Sequence, residues 1–263
     1  MSTGETTRAF EGEDAGSPPA LLDPAAKGRQ HPAMIRAVPL LLLVAMLPAG
    51  AEVEKEIPLG IEAVTGFRSE TIWRGFKVGN SMLDFQLQGE IALDNNWSLD
   101  IGGSYGTEAG QGDNSEATLF VDLNYETKQW SAAFSITGQD FDHPILDSGV
   151  DFAPSFTWHA TKDLDLTAGA AYDTGASGFY EWLETKWSHP VTDSSFIALQ
   201  AGTSFVEDYY GRDGWNDLYA RAAFTYNFSK RVSVTPFVGI SIPMDADPES
   251  TRFFGGIWFE VNF

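Results

Sequence analysis

Apolar and polar residues alternate along most of the chain after Leu59. In the final stretch, one face stays apolar up to Phe263, while the other face carries Glu260 and Asn262. The same alternation recurs at residues 83–93, 97–105, 119–125, 130–137 and 232–242. A period of two gives a β-strand one apolar face and one wet face. The pattern therefore predicts a series of strands that separate an apolar phase from an aqueous one.

The links between these runs alternate between tight and longer. Tight polar turns are predicted at residues 94–96, 127–129, 161–163, 192–194 and 229–231. Longer links are predicted around residues 74–80, 106–115, 139–148, 174–177, 207–214 and 243–251. This alternation predicts about twelve strands, with both ends of the series on the tight-turn side.

The predicted strands are longer than those of most soluble sheets, which have about 5–6 residues. Ten residues in a tilted strand span about 25 Å, the height of the apolar band of an outer-membrane barrel. We therefore predict an all-β fold: a transmembrane up-and-down antiparallel β-barrel of about twelve strands over residues 59–263. Trp97, Trp130 and Trp158 lie near strand ends, where aromatic belts are expected. A secreted β-sandwich or jelly roll would also alternate, but it would explain neither the strand length nor the terminal Phe.

The chain has one uninterrupted apolar run, residues 37–48, which follows Arg36 and precedes Ala49-Gly50-Ala51. A basic flank, a short apolar region and an A-x-A site predict a secretory signal peptide over residues 34–51. Residues 1–33 are polar and without periodicity, so we expect a disordered extension or a misassigned start, with Met34 as initiator. Residues 52–58 would be a short periplasmic segment.

Charge and composition exclude several functions. The 263 residues include 37 Asp and Glu against 16 Lys and Arg, and no Cys. This acidic excess argues against nucleic acid as a partner. The chain has no His pair at ligand spacing, and its acidic links match no full calcium-loop motif, so we predict no metal and no cofactor.

Two short segments resemble known outer-membrane proteins. Phe259, Val261 and Phe263 resemble the alternating C-terminal signal of bacterial outer-membrane barrels, which implies recognition by the barrel-assembly machinery. Trp73-Arg74-Gly75 resembles the Phe-Arg-Gly step in the first loop of porins of the TorF type, with Trp in place of Phe. The resemblance implies a transport role in the bacterial outer membrane, in contact with its lipid and lipopolysaccharide.

If the apolar face meets lipid, the other face lines the lumen. The predicted lining residues are Arg68, Asp84, Glu90, Asp100, Asp122, Asp151, Asp165, Asp173, Glu184, Lys186, Asp217, Arg221 and Glu260. Their excess negative charge would attract cations. We predict a channel for passive diffusion of small hydrophilic solutes that prefers cations.

Other interpretations of the lumen stay open. The carboxylates could pair inside a plugged interior, and the inward aromatic rings could either fill space or stack on solutes. The alternative function is a closed structural or adhesive barrel that acts through its extracellular loops. Acyl chemistry would need a Ser beside an oriented His, and His143, His159 and His189 offer no such arrangement, so no enzyme is predicted.

Overall fold

The computed structural model describes residues 59–245, apart from 111 and 113, and residues 250–263. The predicted extension, signal peptide and periplasmic segment lie outside the described residues. In the described part, the strands are β1 (Leu59–Trp73), β2 (Phe76–Ala92), β3 (Trp97–Glu108), β4 (Ser115–Glu126), β5 (Trp130–Asp142), β6 (Gly149–Thr161), β7 (Leu164–Asp173), β8 (Gly178–Thr192), β9 (Ser195–Tyr209), β10 (Arg212–Asn227), β11 (Val232–Pro243) and β12 (Arg252–Asn262).

The strands form one closed barrel. Each strand pairs antiparallel with its neighbours in chain order, and β1 pairs with β12 to complete the ring. The register at this seam runs from Glu62 opposite Asn262 to Arg68 opposite Gly256. The predicted all-β, up-and-down antiparallel barrel of about twelve strands is confirmed. Among the described residues, there is no helix long and apolar enough to cross a membrane.

One end of the barrel carries short turns of two to four residues, at 93–96, 127–129, 162–163, 193–194 and 228–231. The first residue of β1 and the last of β12 lie at this end, which we call the short-turn end. The opposite end, the loop end, carries the links at 74–75, 109–114, 143–148, 174–177, 210–211 and 244–251. The predicted alternation of links therefore holds for most of the ring.

Two of the predicted longer links, 74–80 and 207–214, are wrong. Both are two-residue turns, Arg74-Gly75 and Tyr210-Gly211, in which every residue has positive φ. Such turns match the twist of a hairpin and allow pairing to continue to its tip. The polar residues that resembled loops belong instead to strands of 15–17 residues.

The outer surface of the barrel is apolar and has aromatic belts at both ends. Large apolar side chains such as Leu87 and Leu183 are more than half exposed on this surface. At the short-turn end, rings contact one another across four strands, in the order Trp97, Tyr125, Trp130 and Phe156, with centroids 4.9–5.8 Å apart. At the loop end, Tyr172 contacts Phe179, and Phe205 stacks on Trp215. This is the surface of a barrel that crosses a lipid bilayer.

The part of the first hairpin nearest the loop end leaves the barrel wall and folds into the lumen. Pairing of β1 with β12 ends at Arg68, and pairing of β2 with β3 begins at Met82. Between these points, residues 69–81 pair with one another, with a register shift at Thr71/Ile72. We call residues 69–81 the inner hairpin. Its residues Phe76 and Val78 form a buried cluster at the loop end with side chains of β5, β9 and the 143–148 link: Phe141, Leu146, Val206 and Tyr209.

Candidate functional site

The tip of the inner hairpin rests on β10. Gly75 has φ of +81°, and a Cβ built on it would lie 2.8 Å from Nδ2 of Asn216, so only glycine fits this contact. Asn216 is fully buried, and its Nδ2 donates a hydrogen bond of 3.1 Å to the carbonyl oxygen of Arg74. The tip is therefore fixed to β10, which is three positions from β1 around the ring.

The Arg74 side chain reaches the opposite wall. Its Nη2 lies 2.6 Å from Oδ2 of Asp151, and its Nη1 donates to the Tyr209 hydroxyl at 2.8 Å. Tyr209 in turn donates to Asp173 at 3.0 Å, and Gln139 donates to Asp151 at 2.6 Å. Asp151 and Asp173 are register partners on β6 and β7. One guanidinium thus holds two adjacent carboxylates, and we call this group the Arg74 anchor.

The Arg74 anchor changes the expected role of two predicted lining residues. Asp151 and Asp173 face inward as the alternation predicts, but only 3% and 1% of their surfaces are exposed. The rings of Trp73, Tyr180 and Tyr209 lie 4.7–5.7 Å from the guanidinium carbon and shield it. These carboxylates therefore hold the hairpin and do not face the aqueous lumen.

A second ion-pair group lies below the inner hairpin. Arg68 donates from Nε to Asp84 at 2.6 Å and from Nη2 to Glu116 at 2.6 Å. The sequence predicts Arg68 and Asp84 as lumen-lining charges but not Glu116, which the register brings to the same height. The single positive charge of Arg68 is therefore shared by two carboxylates and compensates one of them.

Three carboxylates form a row in the half of the lumen nearer the short-turn end. Glu90 lies opposite Asp100 in the register, and Asp100 lies opposite Asp122. Asn124 donates to Asp100 at 2.9 Å, and Ser135 donates to Asp122. Within the described residues, none of the three forms an ion pair with a basic group. We call Glu90, Asp100 and Asp122 the acid row, and it is a region of uncompensated negative charge.

The other predicted lining residues have mixed surroundings. Asp165 contacts Nδ1 of His159 at 2.8 Å, and Lys186 lies opposite it in the register. Glu260 accepts a hydrogen bond of 2.8 Å from Ser233, and Asp217 accepts one of 3.1 Å from Ser241. Most wall carboxylates are thus oriented by neighbouring hydroxyl, amide or imidazole groups.

A cavity of about 320 Å³ lies in the lumen between the inner hairpin and strands β8–β12. Glu184 accepts hydrogen bonds from Gln200 at 2.6 Å and from Tyr219 at 2.9 Å. Arg221, the register partner of Gln200 on β10, has its guanidinium 4.2 Å from the ring centroid of Trp258. The lumen cavity therefore carries fixed charges of both signs.

Inward aromatic rings lie on glycines of the neighbouring strand. Each ring belongs to the residue that is paired with the glycine in the sheet register. A Cβ added to the glycine would lie 2.1–2.5 Å from the nearest ring atom in five pairs and 2.7 Å from it in the Gly256–Phe237 pair. The pairs are Gly66–Trp258, Gly102–Phe120, Gly169–Trp182, Gly202–Tyr219, Gly239–Phe254 and Gly256–Phe237. The glycines let large rings lie along the wall, where an inner face of larger side chains would leave no room.

The links of the loop end hold two titratable groups with shifted pKa values. Nδ1 of His143 accepts from the backbone N–H groups of Ile145 and Leu146, and burial lowers the pKa of His143. Tyr210 donates to the carbonyl oxygen of Asp147 at 3.0 Å, and burial raises the pKa of Tyr210. Neither group is arranged as a catalytic base.

The two segments that resemble known outer-membrane proteins lie at opposite ends of the barrel, one at the hairpin tip and one at the end of β12. Trp73, Arg74 and Gly75 form the tip of the inner hairpin, as their motif position suggests. Phe259 and Phe263 are 47% and 72% exposed on the outer face at β12 and its end, and the Phe263 N–H donates to Ile61 at the seam. Val261, on β12, is half-buried on the same face. In the part of the chain described, no group of three or more Asp, Glu or His residues could hold a metal ion.

Comparisons with known proteins support the fold. No family model matches the chain, and no curated protein matches its sequence. An outer membrane channel from Pseudomonas putida F1 is similar at 11% identity over 78% of this chain and 94% of that chain, with a TM-score of 0.50. The NanC porin is similar at 11% identity over 76% of this chain and 98% of that chain, with a TM-score of 0.52. The chain therefore has the fold of outer-membrane β-barrels, and the TorF-type resemblance is not confirmed.

Proposed function

We propose that this protein is an outer-membrane channel for passive diffusion of small hydrophilic solutes, with a preference for cations. The acid row is the observation that carries the proposal, because it places uncompensated carboxylates in a confined aqueous space. The inner hairpin narrows the loop end and sets the size limit. Transport then requires no covalent chemistry.

The route to the membrane is part of the same proposal. Residues 34–51 would direct export, and Phe259, Val261 and Phe263 would be recognised by the barrel-assembly machinery. The apolar belt would contact lipid, and the loop end would contact lipopolysaccharide. We also propose a relation to porins of the TorF type, which rests on the match of Arg74 and Gly75 to the first-loop motif of that family. In this protein the two residues form the tip of the inner hairpin.

Single-channel recording in a planar bilayer under a KCl gradient tests the proposal. We expect discrete current steps and a reversal potential of the sign given by K⁺ permeation. Converting the acid row to Glu90→Gln, Asp100→Asn and Asp122→Asn should move the reversal potential towards zero, because it removes the fixed charge while leaving the side-chain shapes.

A matched control removes three charges outside the lumen wall: Glu207→Gln, Asp142→Asn and Asp193→Asn. These side chains are exposed beside turns and strand ends, so the control should keep the wild-type reversal potential. Equal shifts in the two triple variants would show that net charge, and not the acid row, sets selectivity.

A second candidate function is a closed barrel that acts through its loops, and the inner hairpin favours it. The Arg74 anchor and the buried cluster fill part of the lumen at the loop end. Correctly folded, heat-modifiable protein that gives no current steps would support this function and overturn the channel.

A further inference from the structure

Arg221 differs from the other arginines of the lumen whose contacts are described above. Its guanidinium carbon lies 4.3 Å from the Phe237 centroid and 4.2 Å from the Trp258 centroid, beside two rings that contact each other at 4.7 Å. Its Nε is buried and has no hydrogen-bond partner among the described residues. No described carboxylate lies within ion-pair distance of it, whereas Arg68 and Arg74 each have two. A guanidinium that lies against aromatic rings and has no carboxylate partner is suited to bind the carboxylate of a solute through its terminal N–H groups.

Glu184, on β8, lines the same cavity and is a carboxylate without a basic partner. Its Oε2 accepts from the neutral groups of Gln200 and Tyr219. Among the described residues it has no basic partner within ion-pair distance. The hydrogen bonds fix the position of the carboxylate without neutralising it, so it can accept from an ammonium group of a solute.

We infer that the lumen cavity is a subsite for small zwitterionic solutes of the amino-acid type, with the carboxylate at Arg221 and the ammonium at Glu184. This inference rests on the proposed channel function and names its substrate class. Such a solute carries no net charge, so the acid row does not repel it as it repels an anion. Its α-carbon joins the two charged groups, and its side chain lies beside the rings of Phe237 and Trp258.

Uptake into proteoliposomes that contain the full-length protein tests the subsite. The probes are labelled L-alanine and lactamide, which have nearly the same size but differ in that only alanine carries separated charges. We expect alanine uptake to saturate with concentration and, at micromolar levels, to exceed lactamide uptake about tenfold, as expected from charge-assisted hydrogen bonds. Lactamide uptake should rise linearly.

Two variants remove the two ends of the subsite separately. Arg221→Gln and Glu184→Gln should each make alanine uptake linear and bring the ratio of alanine to lactamide uptake close to one. Arg221→Lys keeps the charge but loses the planar donor pair, so it should retain only part of the preference. Heat-modifiable migration of each variant checks that the barrel is folded.

The control variants Arg231→Gln and Glu126→Gln make the same chemical changes at exposed positions beside the short turns. Both should keep the wild-type preference for alanine. Equal, linear uptake of alanine and lactamide by the wild-type protein would overturn the subsite while leaving the channel intact. Absence of uptake of both solutes would overturn the channel and the subsite together.

Discussion

At the scale of single residues, the pairing of glycine with an aromatic ring shapes the inner wall. Tyr219 illustrates the effect: its ring lies on Gly202, and its hydroxyl group holds Glu184. A ring that lies along the wall leaves the centre of the lumen open while burying its own apolar surface. The glycine therefore matters because it has no side chain.

Substituting Gly202→Ala should displace Tyr219, because the new Cβ would lie 2.5 Å from the ring carbon Cζ. Overpacking of this kind costs about 1–3 kcal/mol of unfolding free energy. Urea unfolding in detergent micelles, followed by tryptophan fluorescence, measures the loss. Gly60→Ala is the matched control, since nothing lies within 4 Å of its added Cβ. Equal destabilisation by both substitutions would contradict this account.

The alternation predicts which face a wall residue occupies, since the side-chain period of a strand is two. It does not predict the partner of that residue. Arg68 meets Asp84 and Glu116, which are 16 and 48 positions away, because strand tilt and register bring them to one height. Glu116 was missed because the sequence indicated an acidic link here, whereas β4 begins at Ser115 and gives Glu116 an inward position.

At the scale of secondary-structure elements, the inner hairpin determines how much of the lumen is free. Its tip is held by the Arg74 anchor and by Asn216, and its sides pack in the buried cluster. The sequence indicated a loop here, because polar residues such as Lys77 and Asn80 follow the turn. A left-handed turn at Arg74-Gly75 makes the same residues part of a strand.

Arg74→Ala should release the inner hairpin and increase the single-channel conductance. The substitution leaves Asp151 and Asp173 buried side by side without their cation, and breaking a buried ion pair costs about 3–5 kcal/mol. Larger and noisier current steps in a planar bilayer are the expected result.

Lys77→Gln is the control for this prediction, because it removes a cation from the same hairpin. Its ion pair with Glu70, 3.1 Å long, is partly exposed, so its loss should change conductance little. Unchanged conductance in Arg74→Ala would mean that the hairpin does not limit the current.

At the scale of the whole molecule, the barrel separates two kinds of surface. The outer belt is predictable from alternation, strand length and aromatic position alone, since all three follow from the thickness of a bilayer. The interior is not, because its content depends on one hairpin that folds inward and on ion pairs between distant strands. The sequence thus predicts the strands of the barrel wall better than the hairpin and ion pairs that fill the lumen.

Cation selectivity should depend on ionic strength if the field of the lumen wall produces it. The Debye length is about 10 Å at 0.1 M salt and about 3 Å at 1 M. We expect the ratio of K⁺ to Cl⁻ permeability to decline steadily when reversal potentials are measured in KCl gradients centred on 0.1, 0.3 and 1 M, values that sample this range. A permeability ratio that stays constant over that range would indicate that direct coordination of the ion, and not the electrostatic field of the wall charges, produces the selectivity.

The position of the inner hairpin has a consequence for the order of folding. The hairpin belongs to the first two strands. Its fixing contacts nevertheless join Arg74 to Asp151, Tyr209 and Asn216, which lie 77, 135 and 142 positions further along the chain. Contacts of such high sequence separation form late, since long segments must be ordered before they are made. In a chain that is ordered from its N-terminal side, the earliest strands therefore receive their final packing only after β10 has joined the sheet.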